Sequence, residues 1–396
     1  MTTHRVAGYR AAEAALRSPQ LKQALYDAGA VVMADVLLTL HGAEHAARRA
    51  VEVRVFRRNF LRHYARDVFP QTLEATLAPF VAAGGADLID LGYRATANLT
   101  ADFAGIDRPE RSADETEALI RLVKTFSEGA TMVHSTRDRA TLEGEVAAAL
   151  AEFDARFHRP SVARRKALLL AGDADALPRD VLSVILEAEP ELALDAAPCC
   201  REMAFYMQAG AHSTANAVVH AFHELSTWAA GDAARAERLA DPVFVQRAAH
   251  ESLRLHPASP EAWRVAMAPV DLPGIGAVAE GDRLVLDLDL ANRDEAVFGP
   301  MAAEFDPDRQ LVDGVLPAGL SFGMGMHSCL GRELDGGTLV RAGTDPDGHQ
   351  YGIVALLVQR LFALGARASR DDPPAADGRT SRPNWGRYPV RFGGRP

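Results

Sequence analysis

A chain of 396 residues is long enough to bury a large core without staples, as one large domain or as two to three of about 100–200 residues. It is 48% hydrophobic and 24% charged, the balance of a globular protein, and its net charge of −10 excludes the basic footprint of general nucleic-acid binding. Three cysteines exclude a disulfide framework and fit a reducing cytoplasm, and no charge-free window of about 18 residues predicts a membrane span.

The first two-thirds read as successive helices. Residues 60–82 carry Leu61, Tyr64, Val68, Phe69, Leu73, Leu77 and Phe80 at helical spacing, and Gly84-Gly85 stops the run. Further helices are predicted over 86–104, 113–134 and 140–157, with Asp114 and Glu117 at the capping positions of the second. A long apolar helix follows at 198–230, and Pro242 and Pro257 bracket another. Beyond Pro257, Val265–Val270 and Arg283–Leu290 read as short strands separated by glycines and Pro273. Residues 306–321 read as loop, 350–364 as helix, and the polar tail 368–388 as surface. No linker interrupts the chain, so a single domain over 1–396, mainly α with a small β region, is expected.

The segment that carries chemistry is Phe322-Gly-Met-Gly-Met-His-Ser-Cys-Leu-Gly331. Cys329 lies in a glycine-rich loop just before a predicted helix, where backbone N–H groups and the positive helix end favour a thiolate. Gly323, Gly325 and Gly331 let the backbone approach a flat, bulky group. One thiolate with open space opposite suits an axial heme ligand; a buried, inert core thiol is the alternative reading.

Five stretches together resemble the cytochrome P450 family, the heme-thiolate monooxygenases. Phe322–Gly331 matches the Phe-x-x-Gly-x-x-x-Cys-x-Gly ligand loop, and Glu251-Ser-Leu-Arg254 matches the Glu-x-x-Arg helix motif. Arg309, in Phe305-Asp-Pro-Asp-Arg, completes that motif's ion-paired triad, preceded by the similar run Ala291–Phe298. His45-Ala-Ala-Arg-Arg49 matches the His-x-x-x-Arg of the helix that holds the heme propionates, and Ala209–Asn216 resembles the oxygen-activation helix. The stretches occur in family order and the resemblance covers about residues 10–392.

The resemblance implies a triangular helical prism, heme b and Cys329 as the iron's ligand. It implies a cofactor-binding set of His45, Arg49, Arg264, Phe322, Gly323, His327, Cys329 and Gly331. It also implies a structural ion pair of Glu251 with Arg254 and Arg309. Proton delivery falls to His212, Ser213 and Thr214, and Met207, Gln208 and Ala211 are the expected substrate contacts. The implied activity is insertion of one oxygen atom from O₂ into a small or medium organic molecule, in secondary metabolism, with electrons from a ferredoxin and its NAD(P)H-dependent reductase in the cytoplasm. The alternatives are a peroxide-driven oxidation or oxidative coupling, and a non-catalytic heme-binding protein.

Three departures from the family pattern stand out. The usual acid of the oxygen-activation helix is replaced by His212, and the alcohol is Ser213, followed by Thr214. Only 44 residues precede His45, so the fold is expected to be shortened at its N-terminus. Gly336-Gly337 and Gly343-Thr-Asp-Pro-Asp-Gly348 interrupt the helix after the ligand cysteine, which predicts an inserted loop near 336–349. That loop is expected on the electron-donor face, where Asp335, Asp345 and Asp347 add negative charge offset by Arg332 and Arg341.

Overall fold

The structure is a computed structural model that describes every residue except 174, 341–342, 346–347 and 394–396. Arg341 and Asp347, two of the charges expected on the inserted loop, therefore lie outside the described residues.

The chain is mainly helical, and the helix Ala196–Trp228 is its axis. Leu88–Ala104, Ala113–Ala130, Pro242–Leu255 and Ile353–Ala363 pack around it. Its buried residues, among them Met203, Met207, Ala211, Val219 and Phe222, join one large apolar core. The Ala113–Ala130 helix begins with a capping box, but one built from Ser112 and Glu115. Glu115 N–H donates to Ser112 Oγ at 3.2 Å, while Asp114 faces outward to Arg156.

The helix expected over 60–82 ends at Ala83 as its pattern predicts, whereas the one expected over 140–157 runs further; both pass a proline in the same way. Tyr64–Val68 and Asp154–His158 are π-helical turns, and each leads into a helix with proline in its first turn, Pro70 and Pro160. A proline ring clashes with the carbonyl four residues back, at Arg66 and Arg156, and a widened turn moves that carbonyl aside. The chain thus continues through Arg159–Ala171, where the sequence pattern predicts an end.

The small β region includes a four-stranded sheet in the order Thr3–Val6, Arg283–Asp287, Glu261–Ala266, Leu21–Gln23. The outer pair Thr3–Val6 and Arg283–Asp287 is parallel; the other pairs are antiparallel. The N-terminal segment, short as it is, supplies both edge strands. The expected strand at 265–270 lies four residues earlier, at Glu261–Ala266, and Pro269, which has no N–H to give, falls beyond it. The tail is only partly a surface segment: Tyr388 and Arg382 within it are buried.

The helix after Cys329 is broken as expected, into Arg332–Gly336 and Ile353–Ala363. The excursion between them has a closed neck. Thr338 N–H donates to Gln350 O at 2.9 Å, and Gln350 Nε2 donates to Glu333 O at 2.8 Å. Gln246, from the Pro242–Leu255 helix, clamps the same place through Gly336 O and Thr338 O at 3.0 and 2.8 Å. Gly352 has φ +82°, and a Cβ there would lie 2.3 Å from Gly337 N. Both the dihedral and the space demand glycine, so Gly352→Ala should cost about 3 kcal/mol or more. Urea unfolding checks this; an unchanged midpoint would mean that the neck is loose.

Candidate functional site

Between the long helix and the Phe322–Gly331 loop lies a cavity of about 360 Å³. The loop forms one wall with Phe322, Gly323, His327, Cys329 and Gly331, and the long helix forms the other with Gln208–Gly210 and His212–Thr214. Phe56, Tyr64, Phe103 and Tyr206 supply apolar sides.

The loop is held by a network that starts one helix away. Arg254 has no solvent exposure and donates to both oxygens of Glu251, each at 2.7 Å. Its Nη1 donates to the carbonyls of Asn292 and Ala302. Arg309 completes the triad at 2.9 Å from Glu251 Oε1 and donates to the carbonyls of Phe298 and Glu304, each at 2.8 Å. Asn292, which the sequence pattern does not single out, passes the order onward. Its amide donates to Arg254 O and Ser321 Oγ, both at 2.9 Å, and its Oδ1 accepts from Leu320 N–H at 2.8 Å. Ser321 Oγ then donates to Leu253 O at 2.7 Å, and Cys329 N–H donates to Phe322 O at 2.8 Å. Both ends of the ligand loop are therefore fixed to rigid backbone. Gly325, expected to admit a flat group, serves a different neighbour: with φ +67°, its Cβ would lie 2.8 Å from Leu16 O of the N-terminal helix.

Cys329 has exposed surface that opens into the cavity, whereas Cys199 and Cys200 are buried in the core. Burial, then the charge of Asp335, pushes the Cys329 thiol up to about 11, although the Gly331 N–H, Arg49 and Arg332 favour the thiolate.

The other expected residues gather beside it. Arg49 Nη2 donates to Ser328 O at 2.7 Å, and the rings of His45 and His327 meet edge to face at 4.7 Å. Arg264 is buried and donates to Gln23 Oε1 and Trp263 O at 3.1 and 2.9 Å. Burial pushes His327 down to about 3 and His45 to about 4, with the neighbouring arginines adding to both. His45 Nε2 and both ring nitrogens of His327 are buried without a partner. Among the described residues no carboxylate pairs with Arg49, Arg264, His45 or His327. A thiol opposite open space, beside two guanidiniums without a carboxylate and imidazole nitrogens without a partner, fits a heme with its two carboxylates.

The helix bearing His45 and Arg49, Gly42–Glu52, is fastened by a buried cluster that sequence reasoning did not find. Arg48 Nη1 donates to Glu202 Oε2 at 2.9 Å, and Tyr206 OH donates to Glu52 Oε2 at 2.6 Å. Leu37 N–H also donates to Glu202. Both carboxylates lie wholly inside, so their partners are visible only in three dimensions.

On the long helix, His212 Nδ1 meets Tyr93 OH, and Ser213 Oγ donates to Ala209 O of its own helix. Thr214 Oγ1 donates to Asp335 Oδ1 at 2.7 Å. Asp335 is thus not an outward charge on the inserted loop: it lines the cavity, and burial raises its carboxyl to about 6. Gln208 lines the cavity; Met207 and Ala211 are fully buried and lie outside its lining.

Asn292→Ala strands a buried N–H and a buried carbonyl and should cost about 2–4 kcal/mol in chemical unfolding; a loss under about 0.5 kcal/mol would mean that the loop is held elsewhere. Glu52 offers a pH test. Burial raises its carboxyl from 4.5 to about 7, with Tyr206 and Arg48 opposing. The unfolded chain then releases this proton first, so stability from this group is present below about 4.5 and is lost as pH rises towards 7. Glu52→Gln should flatten the melting temperature between those limits; an unchanged slope would contradict the raised value.

The family model Cytochrome P450 matches residues 220–334. The chain is 42% identical over 106 residues to the Cytochrome P450 family protein EryCII of Saccharopolyspora erythraea, a match spanning 26% of each chain. It is 30% identical over 173 residues to the cyclooctat-9-en-7-ol 5-monooxygenase of Streptomyces melanosporofaciens, covering 38% of this chain and 37% of that one. The matched stretches therefore span about a quarter to two-fifths of these relatives' lengths. The fold superposes on that of P450BioI in complex with a hexadec-9Z-enoic acid ligated acyl carrier protein with TM-score 0.75 and 18% identity, over 98% of this chain and 92% of that one. CalO2 gives TM-score 0.75 and 21% identity, over 98% and 90%. With the Glu251–Arg254–Arg309 triad assembled and Cys329 lining the cavity, residues 220–334 match the Cytochrome P450 family model and the chain as a whole has the fold of the cytochrome P450 structures.

Proposed function

We propose that this protein is a heme-thiolate monooxygenase that inserts one atom of O₂ into an organic substrate held between the ligand loop and the long helix. The observation that carries the reading is Cys329 on the cavity wall, with Arg49 and Arg264 lacking a carboxylate partner among the described residues and the His327 ring nitrogens lacking any partner. Heme b is the cofactor this family and fold imply, and when bound through a thiolate it supplies the activation of oxygen.

Cys329 would hold the iron, and Arg49, Arg264, His327 and His45 would hold the propionates. The fork of each arginine suits a carboxylate, and both guanidiniums are already oriented by backbone or amide oxygens. Glu251, Arg254 and Arg309 keep the loop in place and take no part in chemistry. Phe56, Phe103 and Tyr206 exclude water from the substrate space, and Gln208 offers it an amide.

Proton supply is assigned to the His212–Thr214 segment. His212 lies between the heme cavity and a second, polar cavity of about 390 Å³ that includes Lys124, Glu128 and Asp377. Burial holds its imidazole well below the ordinary range, so it stays neutral, with Nε2 unpartnered. A neutral ring can accept a proton at one nitrogen and release it at the other. Thr214 Oγ1, with Asp335 behind it, is the second hydroxyl within the same space.

Ser213 bonded to its own helix and His212 bonded to Tyr93 favour a second reading, a peroxide-driven oxidation that does not depend on the usual acid–alcohol pair. For the monooxygenase, electrons come from a ferredoxin and its NAD(P)H-dependent reductase. A cavity of about 530 Å³ on the outer side of the ligand loop is lined by Arg58, Arg62 and Arg332 together with Glu333 and Asp345, a mixed surface on which the loop's Asp345 partly offsets the positive charge an acidic donor would meet. Cytoplasmic placement rests on three free cysteines; among the described residues no helix is long and apolar enough to cross a membrane.

The reduced carbon-monoxide complex of the heme-loaded protein should show the absorption band that names the family, and Cys329→Ala should abolish it. Glu251→Ala should yield little folded holoprotein, because it leaves Arg254 bare at a cost of about 3–5 kcal/mol. A Cys329→Ala protein that keeps the band overturns the assignment. Substrate-dependent NADPH consumption with product supports the monooxygenase; turnover with hydrogen peroxide alone supports the second reading.

A further inference from the structure

The strand pair Ala375–Ala376 and Trp385–Arg387 carries Arg382 on its connecting segment. That segment is pinned to the end of the Ala113–Ala130 helix, where Ser381 N–H donates to His134 O at 3.0 Å and Ser135 bridges Thr380. Arg382 itself is 8% exposed and lines the heme cavity. Its Nη2 donates to Thr131 Oγ1 at 2.8 Å and its Nη1 to Ala258 O at 3.2 Å, while Nε has no partner.

No carboxylate pairs with this guanidinium among the described residues. Asp377, whose field reaches it, is held by Arg379 through both oxygens at 3.0 and 2.9 Å. Glu261, also on the cavity wall, accepts from Trp263 Nε1 at 2.8 Å and lies 3.5 Å from Arg5. Asp335 accepts from Thr214. The other groups facing Arg382 are neutral or basic: Tyr26, Tyr93, His134 and His212.

A buried guanidinium without a counter-ion is costly, and proteins keep such a charge paired. The proposed cofactor has other partners for its two carboxylates. Heme b brings two carboxylates, and Arg49 and Arg264, with His45 and His327, already form the cluster beside the ligand loop. Arg382 is fixed elsewhere, at the His212 side of the cavity, by Thr131 and Ala258.

Resting on the monooxygenase reading, we propose that the substrate is an organic acid whose carboxylate pairs with Arg382. The donors to Thr131 and Ala258 hold the guanidinium in one orientation before the substrate arrives, which lowers the ordering cost of binding. The remainder of the substrate lies against Leu25, Leu38 and Phe103. An uncharged analogue would leave the guanidinium desolvated and unpaired, so the site discriminates against it.

The test uses heme-loaded protein and two matched pairs, decanoate with decanamide and 4-phenylbutanoate with 4-phenylbutanamide, read by the low-spin to high-spin shift. The wild type should bind each acid about tenfold or more tighter than its amide. Arg382→Gln should reduce that preference to within about twofold, and Arg382→Lys should keep part of it, with heme content unchanged in both. Thr131→Val, which leaves the charge in place but frees the guanidinium, should weaken the preference without abolishing it. Equal binding of acid and amide by the wild type, or no acid binding at all, overturns the proposal. Loss of heme from both Arg382 variants also overturns it, because the arginine then serves a propionate. A wild type without the thiolate–heme band fails the underlying reading; a wild type with that band but without acid preference fails this inference alone.

Discussion

Arg254 is a guanidinium with no access to water, and its position is tolerable only because its donors find oxygen. Two go to Glu251 and others to the main chain of the segment leading to the ligand loop. A charge buried so completely permits little displacement, since any lost contact exposes the full desolvation cost. Asn292 carries this rigidity to Leu320 and Ser321, and the Cys329–Phe322 backbone bond carries it to the sulfur. The cysteine is thus positioned by a charge pair on another helix and a neutral amide between them.

The cavity follows a complementary logic. Its positive groups are oriented but not neutralised: Arg49 by Ser328, Arg264 by Gln23 and Trp263, Arg382 by Thr131 and Ala258. The buried carboxyls have donors of their own, Glu202 from Arg48, Glu52 from Tyr206 and Asp335 from Thr214. On the proposed reading, negative charge comes to these groups from outside the chain, as cofactor propionates and as part of a substrate.

Much of this was legible in the sequence because it rests on short spacings. Glu251 and Arg254 share a helix face, Cys329 stands in its glycine-rich loop, and the order of five motifs implied the family. The helical core was legible for the same reason, since a 3.6-residue period survives without knowledge of neighbours. What escaped depends on residues distant in the chain. Asn292 lies 28 residues from Leu320, and Glu202 lies 154 from Arg48; nothing local marks either as a partner. Asp335 looked like a surface charge in a glycine-rich break, yet the closed neck at Gly337 and Gly352 turns it inward to Thr214. The polar tail looked like surface because its composition is that of a loop, and only its docking against His134 and Ser135 carries Arg382 into the cavity.

The central claim is that one sulfur of this chain, and that of Cys329, binds iron. Iron-edge X-ray absorption on the heme-loaded protein measures it directly. The account predicts a single sulfur scatterer in the iron's coordination shell at thiolate distance, present in a Cys199→Ser, Cys200→Ser double variant and absent from Cys329→Ser. A shell of nitrogen and oxygen alone in the wild type, or a sulfur that persists in Cys329→Ser, would contradict it.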